Sequence, residues 1–187
     1  MKTSSLLTFT AIACLVLSSC VPGSQCPLSL PKDAHVDSSL IGDWLNKEDQ
    51  ETYRITAKDS SWMHVDVLKA GAKTDSYDFF STTVGKNTFA NVVLNNKDNP
   101  ALPPTAFTFI RYSTSTTGTL KMWSLSSKAS AAAVHSGKLK GSVSADKNED
   151  VYLTDDSDVL FKFLQKADLD KLFTNEITLT KVESQNK

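Results

Sequence analysis

The groups in this chain that could do covalent or metal chemistry are few: three cysteines, three histidines and one run of carboxylates. A thiolate can attack, ligate metal or accept a lipid, but Cys26 has no histidine close by in sequence to activate it. His35, His64 and His135 lie far apart. They form neither an HExxH nor a His-x-His pair, so their spacing does not match a zinc site. Asp155, Asp156 and Asp158 could suggest calcium, yet the glycine and closing glutamate of an EF-hand loop are missing. Carboxylates at a helix start account for that cluster, because they satisfy free amides and the helix dipole. No Gly-x-Ser-x-Gly elbow and no phosphate loop is present. The reading is therefore no metal, no cofactor and no catalytic residue. A site assembled from distant residues would leave no local mark.

Cys20 stands apart from the other thiols because of what precedes it. Met1-Lys2 opens the chain with one positive charge, and an uncharged apolar segment runs from Leu6 to Leu17. A basic start, a short apolar stretch and small residues make a secretory signal peptide. The stretch falls short of the ~20 apolar residues a membrane-spanning helix needs. Leu17-Ser18-Ser19-Cys20 resembles the bacterial lipobox: an aliphatic residue, two small residues, then Cys. That resemblance implies a diacylglycerol thioether on Cys20, cleavage between Ser19 and Cys20, and acylation of the new amine, with palmitate-type chains. Burying an acyl chain is worth ~0.8 kcal/mol per methylene, and stable anchoring takes about two chains. Val21 follows the lipid site in place of the acidic residue that favours inner-membrane retention. The expectation is a lipoprotein of the outer membrane facing the periplasm.

Residues 1–19 are thus read as the signal peptide, 20–36 as a flexible tether and 37–187 as one folded domain. The tether reading rests on Pro22, Gly23, Pro27 and Pro31 and on the lack of any hydrophobic period. Cys14 leaves with the signal and Cys20 is lipidated, so Cys26 has no internal disulfide partner. Net charge is −1, with both signs interspersed, which excludes nucleic acid and polybasic membrane binding as expectations. Any protein partner is left open.

The elements that position these residues are short strands between turn signals. Gly42-Asp43-Trp44-Leu45 opens the train. Thr52 to Thr56 alternates apolar and polar, and in Trp62 to Leu68 Met63, Val65 and Val67 share one face. Further strands are expected at Asp75 to Thr83, Thr88 to Leu94, Thr105 to Ser113 and Thr119 to Leu125. Asn95 to Pro104 reads as a long loop. Ser126 to His135 is an Ala-rich helix stopped by Gly137. Lys138 to Val143 and Asp150 to Leu153 read as strands. Asp158 to Gln165 reads as a second helix, Asp168 to Phe173 as a short turn, and Glu176 to Val182 as a last strand. This order predicts a mainly β fold: an antiparallel up-and-down barrel of about eight strands, with two short helices late in the chain.

Gly42-Asp43-Trp44 before a train of hairpins resembles the Gly-x-Trp signature of lipocalins and related calycin barrels. The pattern extends over Leu120 to Leu125, Ala129 to Ala133, Gly137 to Gly141, Leu153 to Asp155 and Phe161 to Leu164. The resemblance implies a lipocalin-like barrel in which Trp44 packs across the floor against a basic residue, Arg111 or Lys181. No disulfide pair and no second lipocalin motif accompanies it. Tyr77, Phe79, Phe89, Phe107, Phe109 and Trp123 are the candidates to line the interior and hold a small apolar ligand. The same aromatics also suit an ordinary packed core. Two functions follow: a lipid-anchored barrel that binds a small hydrophobic molecule, or a filled barrel that serves as a platform for an envelope protein partner.

Overall fold

The computed structural model describes residues 21–94, 105–145 and 150–183. Cys20, the signal peptide and the loop expected at Asn95 to Pro104 lie outside the described residues. The described residues form eleven strands: β1 (Gly23–Ser24), β2 (Gly42–Asn46), β3 (Glu51–Ala57), β4 (Met63–Lys69), β5 (Ala72–Val84), β6 (Asn87–Leu94), β7 (Ala106–Thr114), β8 (Thr119–Leu125), β9 (Gly141–Val143), β10 (Val151–Leu153) and β11 (Phe173–Lys181). Three helices lie between β8 and β11: α1 (Ser127–His135), α2 (Ser157–Lys166) and α3 (Leu169–Leu172). Each strand of β2 to β8 pairs antiparallel with the next, short turns joining all of these pairs but β6 and β7, and β11 closes the ring between β8 and β2. The result is the expected lipocalin-like architecture, a closed eight-stranded up-and-down barrel. The third helix is the segment read as a turn.

Local chemistry explains the boundaries. Ser126 caps α1 through an Oγ that accepts from the Ala129 amide. Asp156 does the same for α2, accepting from Val159. Between them, residues 138–140 do not join β9. A side chain at Gly141 would run into the Tyr152 carbonyl, so only glycine admits the close β9–β10 approach.

Period-two alternation gives the barrel two apolar faces. The inner face gathers Trp44, Ile55, Met63, Phe79, Leu120 and Leu179 with Leu40 in one core cluster. The outer face of β5 to β8 gathers Phe80, Phe89, Phe107, Phe109 and Leu125 in a second. Helices α1 to α3 and the small sheet of β1, β10 and β9 cover that second face. Both sides of these strands are therefore buried, which a barrel wall facing water would not show.

Residues 21–36, read from the sequence as tether, lie along this outer wall. Ser24 pairs with Phe107, Gly23 with Tyr152, and Leu28 and Ala34 join the outer core. Asn91 fastens the segment. It is fully buried, takes the Leu28 amide at 2.7 Å, and donates to the Phe80 carbonyl and to Thr82 Oγ1. Ser29 Oγ meets the same Thr82 hydroxyl at 2.6 Å. Asn91→Leu leaves the Leu28 amide without its acceptor, so we expect a stability loss of about 1–3 kcal/mol in urea unfolding. The Leu28 amide should also exchange faster with solvent, and an unchanged rate would refute the fastening role.

Candidate ligand-binding lumen

The floor of the barrel forms first in sequence. Gly42 sits at φ +130, and a Cβ there would touch Lys181 Cε. That geometry lets β2 start against β11 and points Trp44 inward. Trp44 is 1% exposed, and its Nε1 donates to the Leu40 carbonyl at 2.7 Å. The Lys181 ammonium lies 5.1 Å from the Trp44 ring centroid. Of the two partners implied by the lipocalin resemblance, Lys181 is the one in place. Arg111 faces outward, 4.8 Å over the Trp123 ring.

Residues 36–41 cross this end of the barrel and seal it. Tyr112 Oη donates to Asp37 Oδ2 at 3.0 Å and lies 2.7 Å from Ser81 Oγ. Ser39 Oγ lies 3.2 Å from Thr114 Oγ1. Burial pushes the Tyr112 phenol well above its ordinary pKa, so it stays a neutral donor.

Farther from the floor the packing loosens. Tyr53, Val65, Tyr77, Ile110, Met122 and Ile177 face the lumen by register and pack on the inner core, yet remain only half-buried. The wall they make is apolar, apart from two phenols. Burial, with Glu51 adding to it, raises the Tyr53 pKa far above the ordinary range and keeps it neutral. Thr108, paired with Val92 on the lumen side, holds a buried hydroxyl with no hydrogen-bond partner. Such a surface can take an apolar molecule by excluding water.

The six aromatics selected from sequence divide between the two faces. Tyr77 and Phe79 face the lumen. Phe89, Phe107, Phe109 and Trp123 face outward. Phe89 packs on Phe173 at 5.2 Å between ring centroids, and Phe107 packs on Phe80 at 6.4 Å. Phe109 lies beneath the helices, beside a void of about 10 Å³. Trp123 donates its Nε1 to Glu176. Sequence reading did not single out Tyr53, Val65, Ile110, Met122 and Ile177 as lining. The signal for them was parity with Trp44 through the strand pairs.

The remaining polar candidates have structural partners. Asp155 accepts from the Lys140 amide, Asp156 caps α2, and Asp158 sits in its first turn. Cys26 is a half-buried free thiol, and His35 and His135 are exposed. Among the described residues no three potential ligands converge on a metal position. His64 bridges two carboxylates on the outer surface of β4 and β5, with Nδ1 2.6 Å from Asp78 and Nε2 3.2 Å from Asp66. Lys58 bonds Asp78 from the other side. Burial alone would raise the Asp78 pKa, but the bonds from Lys58 and His64 outweigh it and hold the pKa below 3.8. A depressed folded-state pKa stabilises above the unfolded value, and that contribution is lost as pH falls through the folded value. Asp78→Asn should therefore cost about 0.2–1 kcal/mol at neutral pH, given the partial exposure of both partners. The gap between variant and parent in urea melts should close as pH drops below 3.8.

Fold and lumen together define a small closed up-and-down β-barrel protein, sealed at one end and apolar within. Compared with protein-family models, curated proteins and solved structures, the chain matches none.

Proposed function

We propose that the chain is a lipid-anchored envelope protein whose lipocalin-like barrel binds a small hydrophobic molecule in the upper lumen. The observation that carries the reading is the half-buried apolar ring of Tyr53, Val65, Tyr77, Ile110, Met122 and Ile177 above a sealed floor. Apolar surface left open in a concavity is what a hydrophobic ligand covers. Among the described residues no helix is long and apolar enough to cross a membrane, so in this reading the acyl chains on Cys20 supply the attachment. Gly23 is already paired with Tyr152 three residues past Cys20. An acylated Cys20 then holds the barrel close to the bilayer, at the outer membrane on its periplasmic side.

The test uses purified protein and a neutral naphthylamine dye, with native mass spectrometry for any retained lipid. Saturable dye binding is expected. Val65→Lys should weaken it by about tenfold or more, because an unpaired ammonium would have to lose water on ligand entry. Intact mass of the mature protein should show a Cys20 start carrying three acyl chains, lost in Cys20→Ser. A second reading, a platform for an envelope protein partner, draws on the solid packing of the floor half, where Met63, Leu120 and Leu179 are at most 1% exposed. Absence of any titratable apolar ligand, together with a specific crosslink to one envelope protein in intact cells, would replace the first reading by the second.

A further inference from the structure

A polar cavity lies on the outer side of the floor, bordered by Asp37 and Tyr112 of the seal. It measures about 310 Å³ and sits between the β5–β6 turn, the end of β7 and residue Asp37. That volume is at the small end of the ~300–1,000 Å³ typical of ligand sites. Its walls are polar: Lys86, Arg111, Thr88 and Ser113 contribute two cations and two hydroxyls, and the Trp123 ring closes one side.

The charges are unevenly used. Lys86 projects from the turn at Gly85 and has no bonded partner among the described residues. The Arg111 side chain is 17% exposed and is fixed by stacking on Trp123. Its Nη1 donates to Asp170 Oδ1 at 2.9 Å, but Asp170 is 86% exposed, so that pair is wet and weak. No other acceptor takes the remaining guanidinium N–H groups among the described residues. Among the described residues Asp37 is the one carboxylate in the lining, and its oxygens already accept from the Ser39 amide, Ser39 Oγ and Tyr112 Oη. A pre-stacked guanidinium fork, an unpaired ammonium and hydroxyl donors around one small volume are complementary to an oxyanion.

We propose that this cavity binds a small soluble molecule through a carboxylate or phosphate group, with Arg111 as the fork and Lys86 as the second cation. The site is independent of the lipid anchor and of any lumen ligand, so neither outcome of those tests bears on it.

The experiment is an NMR titration of the purified protein at low ionic strength. Inorganic phosphate and acetate are added separately, sodium chloride serves as the control, and anionic phospholipid vesicles form a further arm. The readouts are the Trp123 indole N–H and the Lys86 to Thr88 amides. The expected result is a saturable shift with phosphate or acetate, and the tighter of the two names the preferred group. Lys86→Gln, on an exposed turn, should raise the midpoint by about tenfold, the loss of one charge-assisted bond. Arg111→Gln should abolish saturation. Non-saturating drift, an equal response to chloride, a response to vesicles alone, or an unchanged midpoint in Lys86→Gln would each overturn the assignment.

Discussion

Trp44→Ala should remove about 3–5 kcal/mol of stability, close to the whole margin of many small domains. The size of the effect follows from what the indole does. It fills the floor at 1% exposure, touches the inner core, holds residues 36–41 through its bond to Leu40, and lies beneath the Lys181 ammonium. Alanine leaves a cavity in the part of the barrel where Met63, Leu120 and Leu179 leave no slack for collapse. Trp44→Phe separates the terms. It keeps most of the packing and loses the Nε1 bond, so its cost should fall to about 1–2 kcal/mol, the scale of one buried bond plus minor repacking. Urea unfolding at constant m-value measures both. A loss below about 1 kcal/mol for Trp44→Ala would mean that the floor relaxes freely, contrary to the packing described here.

Strands and their parity were legible in sequence because local chemistry dictates them. The alternation in Met63, Val65 and Val67 survives in the structure as one lumen-facing row. Gly42-Asp43-Trp44 pointed to a floor, and the glycine's positive φ and the buried indole account for why those types stand there. What parity cannot tell is which face is the lumen. In Ala106-Phe107-Thr108-Phe109 the large residues look like the interior. A narrow eight-stranded lumen takes the small Ala106 and Thr108, and the phenylalanines go outward under the helices. Coverage of the outer wall is a long-range fact about residues 21–36, 126–145 and 150–172, and no local period records it. The proline-rich start reads as tether for the same reason. It holds to the wall through backbone pairs and one distant asparagine, Asn91.

The outer layer yields the second large effect. Phe89→Ala should cost about 3–5 kcal/mol, as much as Trp44→Ala, although Phe89 does not touch the lumen. It is fully buried, packs its ring on Phe173, and lies in the cluster that joins β6 to the helices and the N-terminal segment. Its neighbour Ala90 faces the lumen, so the wall there is two side chains thick with the sheet between them. A cavity on the outer side therefore lowers stability without reshaping the inner surface. The two readouts should separate: the urea midpoint falls steeply, while dye affinity of the folded fraction stays within about twofold of the parent, less than the tenfold shift set by 1.4 kcal/mol. Val65→Lys should show the opposite pairing, with a large loss of dye affinity and the smaller stability cost of a half-exposed position. If Phe89→Ala abolished dye binding while leaving the barrel folded, the ligand surface would have to lie beneath the helices, and the lumen assignment would fail.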